Sequence, residues 1–520
     1  SIISLFTGLF IFILLGNAQN NLTPKREFRG AWIATVFNSD YPKRPSPLKI
    51  AHQEQYKNLL DKLKGVGINS VIVQVRPTGD ALYPSDLVPW SAFLTGRQGK
   101  APEPEYDLLK FMIEEAHKRS MEFHAWFNPF RATTNLDTSR LAVNHAFRRN
   151  RSWMVQYGNR FYFNPAIDAV KQHLIQVVME VVANYDIDAV HFDDYFYPYK
   201  IEGQIYPDTS LFASYGQGFR DIGDWRRSHI DAFIEQLSSA IKSQKPQVKF
   251  GISPFGVWRN IEKDRRGSNT RAGVTTYDDL YADVLKWSRR GWIDYVIPQL
   301  YWNIGFGPAD HEELLGWWSR NMADRHVYVG HAAYKVGDNA EVAWDDPTEI
   351  PRQIKLNRNN LNTLGSAFFS AKTLLRNRLG VRDSLDYYYA RPALVPIMED
   401  LADRTPNPPV LRKINKKRGN PRLLWKPNKK DINAEKLPTY YAIYRFKSDR
   451  VGELDDTNDN LLAVTPFHPD GLKYRYIDRT ADPNEFYTYI VTALSRQHVE
   501  SRPSNPKTIY KTENGVSKVR

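Results

Sequence analysis

The chain has 520 residues, 42% of them hydrophobic and 13% aromatic, which excludes a disordered protein and leaves room for two or three domains. It contains no cysteine, so disulfides, thiolate metal sites and cysteine lipidation are excluded for this chain. The formal charge is +13, and from residue 401 onward 23 basic residues face 14 acidic ones, so most of the excess lies in the tail; with no nucleic-acid-binding motif to accompany it, the charge suits anionic envelope polymers or solubility better than nucleic acid.

In chain order, Ile2 to Leu15 is an apolar run too short to span a bilayer as a mature helix and suited to the core of a secretory signal. Gly16-Asn17-Ala18 then offers small residues at a cleavage point. A signal peptide over 1–18 is expected, giving a periplasmic or secreted protein with no stable membrane span once the signal is removed.

From Phe28 to about Asp400 short β-rich apolar runs alternate with amphipathic segments, the pattern of parallel strands joined by helices. Eight strands are predicted: 30–36, 70–75, 122–127, 189–192, 249–253, 294–298, 326–330 and 366–370. Segments 53–64, 106–119, 166–185 and 225–242 carry apolar residues at three- and four-residue spacing and read as helices. Eight such units suit a (β/α)8 TIM barrel over 26–400, an α/β fold, better than an open doubly wound sheet, since no glycine-rich phosphate turn follows the first strand. The loop from Tyr195 to about Asp224 is long, and loops of that length inside a compact domain are usually functional.

A proline cluster, Thr405-Pro-Asn-Pro-Pro409, breaks the alternation, and short strands at 422–425, 440–446, 474–478 and 486–493 predict a second, all-β sandwich over 406–512. Leu424-Trp425, Tyr441-Ala-Ile-Tyr444-Arg-Phe446, Tyr487-Thr-Tyr489-Ile-Val-Thr-Ala and Glu500-Ser-Arg-Pro-Ser504 resemble a fibronectin type III module. The resemblance implies a spacer or weak binder, with no catalytic residue there.

The most telling stretch is Asp188-Ala-Val-His191-Phe192-Asp193-Asp194-Tyr195-Phe196-Tyr197-Pro198. Two adjacent carboxylates at the carboxyl end of a buried strand must stay solvated in a cleft or share a proton, because burying unpaired charge is costly. Strand alternation places His191, Asp193 and Tyr195 on one face and Asp194 on the other. Other strand ends supply Trp32, Arg76, Asp80, His124, Trp126, Asn128, Arg131, Trp258, Gln299, Tyr301 and Trp302. Singly these have plain readings: Arg76 paired with Asp80, His124 a satisfied core histidine, Trp126 packing. Together at one barrel mouth they line a sugar site, where aromatic rings stack on apolar sugar faces and planar polar groups bind hydroxyls. Ligation of a metal by His124, His191 and Asp193 lacks the spacing of known motifs, so neither metal nor cofactor is expected.

Phe28-Arg-Gly-Ala-Trp32, Gln74-Val-Arg76-Pro-Thr-Gly-Asp80-Ala-Leu-Tyr83, His124-Ala-Trp126-Phe-Asn128-Pro, Phe163-Asn164-Pro165, the Asp193-Asp194 stretch and Pro298-Gln299-Leu-Tyr301-Trp302 together resemble the glycosyl hydrolase-like 10 family over roughly residues 26 to 350. The resemblance implies a TIM-barrel glycoside hydrolase of bacterial envelopes, directed in at least some members at peptidoglycan glycan strands.

Glycoside hydrolysis usually needs two carboxyl groups flanking the bond. Asp193 is the first candidate; Asp194 or Asp80 is the second, with Asp338 or Glu341 as further entrants from the loop after strand seven. Strands six and seven end without an acid. That favours a substrate-assisted route, in which the sugar's acetamido oxygen attacks the anomeric carbon while one aspartate orients it and the other protonates the leaving oxygen, with Gln299 and Tyr301 holding the acetamido group. A non-catalytic glycan-binding barrel and a metal-dependent deacetylase or esterase are the alternatives.

Overall fold

The computed structural model describes residues 23–402, 404–434, 437–457, 459–466 and 473–518. The expected signal segment at 1–18 lies outside the described residues. Among those described, no helix is long and apolar enough to cross a membrane.

Eight parallel strands close into a barrel in chain order: β1 (Phe28–Ile33), β2 (Ser70–Arg76), β3 (Glu122–Phe127), β4 (Ala189–Phe192), β5 (Lys249–Ile252), β6 (Tyr295–Val296), β7 (His326–His331) and β8 (Thr363–Phe368). β1 seals the barrel by pairing with both β2 and β8, Ala31 lying opposite Val71 on one side and Phe368 on the other. Nearly every strand position is buried, as expected of a parallel sheet covered on both faces. Alternation then sorts the side chains. Val71, Val73, Phe123, Val190 and Phe250 face outward into the core shared with the helices, while Phe28, Trp32, Ile72, Trp126, Tyr295 and Tyr328 fill the interior.

The predicted helices appear as Lys49–Gly65, Leu108–His117, Asp168–Asn184 and Ile222–Gln244. The last starts at Asp221, whose carboxylate accepts from the Asp224 amide in an N-cap. Several strand ends differ from expectation by one to three residues, and the first and last strands differ most. β1 ends at Ile33, three residues early, and β8 ends at Phe368, because Ser370 caps the next helix in a reciprocal bond pair with Thr373.

The tail forms two antiparallel sheets, from β9 (Val410–Lys417), β10 (Asn420–Lys426), β11 (Tyr440–Phe446), β12 (Leu461–Pro466), β13 (Tyr474–Ile477), β14 (Glu485–Leu494), β15 (Lys507–Thr512) and β16 (Gly515–Lys518). One sheet has the order β9-β10-β13 and the other β12-β11-β14-β15-β16. Trp425, Tyr441, Tyr474 and Tyr489 pack between them. This domain docks on the amino-terminal end of the barrel. Arg496 donates to Asp186 at 2.5 Å and Asp188 at 2.9 Å, and buried His498 lies 3.3 Å from Glu122, the first residue of β3. The opposite end, where the strands finish, is left to the barrel's own loops.

Candidate active site

Gly251 shapes the middle of the barrel. A Cβ there would fall within 2.0 to 2.3 Å of the Tyr295 ring, so only glycine lets that tyrosine lie across the interior. The Tyr295 hydroxyl sits 2.8 Å from His124 Nδ1 and 3.1 Å from His191 Nδ1. His191 Nε2 accepts from Trp32 Nε1 at 3.4 Å and lies 3.1 Å from Ser253 Oγ, and His124 Nε2 lies 3.0 Å from Glu122. The chain through Tyr295 is satisfied when His191 donates to Tyr295, Tyr295 to His124, and His124 to Glu122, which leaves His191 Nε2 as the acceptor shared by Trp32 and Ser253. Burial holds His191 well below the usual imidazole range, as a neutral ring requires.

Above this layer a cavity of about 530 Å³ opens at the carboxyl ends of the strands. β4 stops at Phe192, so the alternating repeat no longer governs the next two residues. Asp193 and Asp194 therefore both line the cavity, which corrects the expectation that they point to opposite faces. Asp193 Oδ2 accepts from Trp126 Nε1 at 3.1 Å and Asn128 Nδ2 at 3.0 Å, and its Oδ1 takes a longer bond from the Tyr195 amide. Asp194 Oδ1 accepts from Gln299 Nε2 at 3.1 Å, and its Oδ2 accepts from the Tyr199 hydroxyl. Gln299 is held in turn by the Ser253 carbonyl at 3.0 Å.

Only 6% of Asp193 and 4% of Asp194 is exposed, and neither forms an ion pair among the described residues. Burial, reinforced by the charge of Asp194 and opposed by Arg131, pushes the Asp193 carboxyl up to about 7. Burial also raises Asp194, against the hydrogen bonds from Tyr199 and Gln299. The pair thus retains a proton where isolated aspartates have lost theirs. Among the described residues no other acid lines the cavity.

The structure brings nine of the predicted residues to this wall: Trp32, Trp126, Arg131, Asp193, Asp194, Tyr195, Gln299, Tyr301 and Trp302. Arg131 also lies 4.8 Å above the Tyr195 ring, and Asn128 stands behind the wall as a donor to Asp193. The others do not reach it. Asp80 is buried away from the cavity, accepting from Thr78 at 2.8 Å and Gln98 at 3.1 Å. No ion pair joins it to Arg76, which instead donates to the Asn128 and Pro129 carbonyls and so steadies the loop that carries Asn128. His124 and His191 lie in the layer below the wall, and Trp258 is core, stacked on Trp317 at 5.7 Å. Asp338 pairs with Arg378 at 2.8 Å, away from the wall. Tyr199, Lys335 and Phe369 line the cavity and are not singled out by the sequence. The run Tyr195-Phe196-Tyr197-Pro198-Tyr199 is the signal for the first, since its aromatics continue past the acids. Among the described residues, no group of three or more His, Asp or Glu is arranged to hold a metal ion.

The glycosyl hydrolase-like 10 family matches residues 27–346. The chain is 45% identical to the glycosyl hydrolase YngK of Bacillus subtilis over 98% of each chain. It is 37% identical to the glycosyl hydrolase DigH of Escherichia coli K12, covering 70% of this chain and 87% of that one. Among solved structures it is similar, at 14% identity and a TM-score of 0.44, to alpha-L-fucosidase isoenzyme 2 from Paenibacillus thiaminolyticus, over 71% of this chain and 49% of that chain.

Proposed function

This chain belongs to the glycosyl hydrolase-like 10 family, and from that premise we propose that it hydrolyses glycosidic bonds in N-acetylated envelope polysaccharide, with peptidoglycan glycan strands as substrate. One observation carries the mechanism: the only acids on the cavity wall among the described residues are sequence neighbours from one strand. A pair of carboxylates facing each other across the bond from different strands lacks its second member. A substrate-assisted route needs only the local pair.

In this reading Asp193 is the acid. Its Oδ1 takes only a long backbone bond, which leaves room for a proton, and its carboxyl is raised to about 7. Both oxygens of Asp194 already accept protein hydrogen bonds, which suits the ionised partner. The acetamido carbonyl oxygen attacks the anomeric carbon, the bond to the leaving oxygen breaks, and the Asp193 proton passes to that oxygen. Asp194 holds the acetamido N–H and offsets the positive charge that develops on the cyclic intermediate. Water then adds at the anomeric carbon, returns its proton to Asp193 and reopens the ring, so configuration is retained. The aromatic wall of Trp32, Trp126, Tyr301 and Trp302 stacks on the sugar ring.

The apolar run at 2–15 supports export to the envelope, and the two-sheet tail serves as a fibronectin type III-like module that supports the barrel from its far end. Mass spectrometry of products from purified, peptide-free peptidoglycan strands, set against neutral polysaccharides, tests the reading. Released N-acetylated fragments are expected from the wild type and none from Asp193→Asn. Equal turnover by that variant would defeat the assignment.

A further inference from the structure

Beside the catalytic cavity lies a second groove of about 430 Å³, and the two share Ser39 in their walls. They are also joined along the chain after β8: Phe369 lines the first, Lys372 lines the second, and Ser370 between them donates to Asp40 at 2.6 Å. Four cationic side chains line this groove, Lys43, Lys62, Lys372 and Arg376. All four are exposed, and none forms a side-chain hydrogen bond or ion pair among the described residues. Arg259 and Arg352, by contrast, each hold two acids, Asp264 with Asp278 and Asp346 with Glu349.

Among the described residues the only acid in the groove is Asp40; the Lys372 charge acts on it, but its oxygens are already committed to hydrogen bonds. Its carboxylate accepts from the Ala34 amide at 2.8 Å, the Ser370 hydroxyl and the Lys372 amide at 2.8 Å. Four like charges converging on one concave surface repel one another unless an anion comes between them. Tyr41, Leu59 and Leu375 add apolar wall, and Gln55 and Asn58 add hydrogen-bonding amides. Such a mixture fits a sugar bearing a charge better than a bare ion.

We propose that this groove binds a carboxylate-bearing sugar residue of the same glycan chain whose neighbouring unit occupies the catalytic cavity. The inference rests on the hydrolase reading for the direction of the chain, and its own content is the acidic subsite. Ser39 marks the passage between the two subsites, and a polymer alternating neutral and acidic units would place one in each. Exposed charges at a distance from the reacting bond act mainly on binding and encounter, so the groove governs KM more than kcat.

The test compares peptide-free peptidoglycan strands, whose lactyl groups carry free carboxylates, with the same strands after carbodiimide amidation. The wild type and the Lys62→Glu/Arg376→Glu double variant are measured on both. We expect the variant to lose on the order of tenfold in kcat/KM on the acidic strand, chiefly through KM, and to match the wild type on the amidated strand. Equal activity of the two proteins on the acidic strand overturns the proposal; so does an equal loss on both strands, which marks general damage. A binding arm stands apart from catalysis. Asp193→Asn protein, with and without the two charge reversals, is titrated with the acidic strand by calorimetry. Weaker binding on reversal supports the subsite even where no strand is cut, which separates failure of the hydrolase reading from failure of this one. Unchanged binding overturns it.

Discussion

Gln299, three residues beyond the end of β6, donates to Asp194 Oδ1 at 3.1 Å, so a carboxylate supplied after the fourth strand is held by an amide supplied after the sixth. Its neighbour Asp193 is held from the other side by Trp126 and Asn128 of the third strand and its loop. Two residues joined by one peptide bond are thus fixed by different parts of the barrel, and each is free to take a separate role.

Separate roles predict separate rescue. Asp193→Asn should lower turnover of natural strands by about 10² to 10⁴, and a substrate with a strongly activated aryl leaving group should recover most of it, because no proton need be supplied. Asp194→Asn should be equally impaired on both substrates. Steady-state kinetics on both, with circular dichroism to confirm folding, checks the division; rescue of the Asp194 variant instead would exchange the two roles.

The Asp193 carboxyl, raised from 3.8 to about 7, also ties stability to pH. The folded state holds this proton more tightly than the unfolded chain does, so the group's contribution is most favourable below about 3.8 and is lost as pH rises through about 7. Asp193→Asn should therefore be more stable than the wild type at pH 8 and should show no such gain at pH 3.5. Thermal melts at the two pH values read this directly. Activity should decline on the alkaline side of about 7 as the acid loses its proton.

Tyr199→Phe removes a hydroxyl that donates to Asp194. The ionised carboxylate loses a stabilising bond, so its pKa should rise further, moving the acid limb of the kcat/KM profile upward by about one pH unit. An unshifted profile would show that this hydroxyl does not tune the pair.

At the other end of the barrel, Glu122 accepts from buried Lys249 at 2.5 Å and sits against His124 and His498. Burial works to raise its carboxyl, yet the Lys249 charge and the two histidine bonds hold it well below the usual range. Its contribution is present above about 4.5 and is lost as pH falls below that value. Glu122→Gln should cost about 3 to 5 kcal/mol at pH 7 by leaving the lysine uncompensated, and adding Lys249→Met should recover part of that. Urea unfolding of both variants measures it; an unaltered midpoint in the single variant would remove this cluster as a lock between the domains.

The barrel was legible because its strands are short apolar runs at regular intervals, and that pattern survives in one dimension. Glu122–Phe127 and Ala189–Phe192 appear with the predicted ends. β9, β12, β15 and β16 were not predicted, being lysine-rich or only partly buried and so weak in periodicity. The acid pair and its aromatic neighbours were legible because charge at the end of a buried run is conspicuous.

What the sequence by itself determined is the frame and its conspicuous residues: a (β/α)8 barrel with Asp193-Asp194 at one strand end among aromatics and amides. Which residues share a wall was decided only by the tertiary structure, because that depends on where β4 stops and how eight separate loops converge. Asp80 and Arg76 sit in the same run of the chain as wall-lining Gln74, yet turn into the loops behind it. Lys43, Lys62, Lys372 and Arg376, spread over more than three hundred residues, meet in one groove because β1 and β8 are neighbours in a closed sheet, a proximity that linear order does not contain.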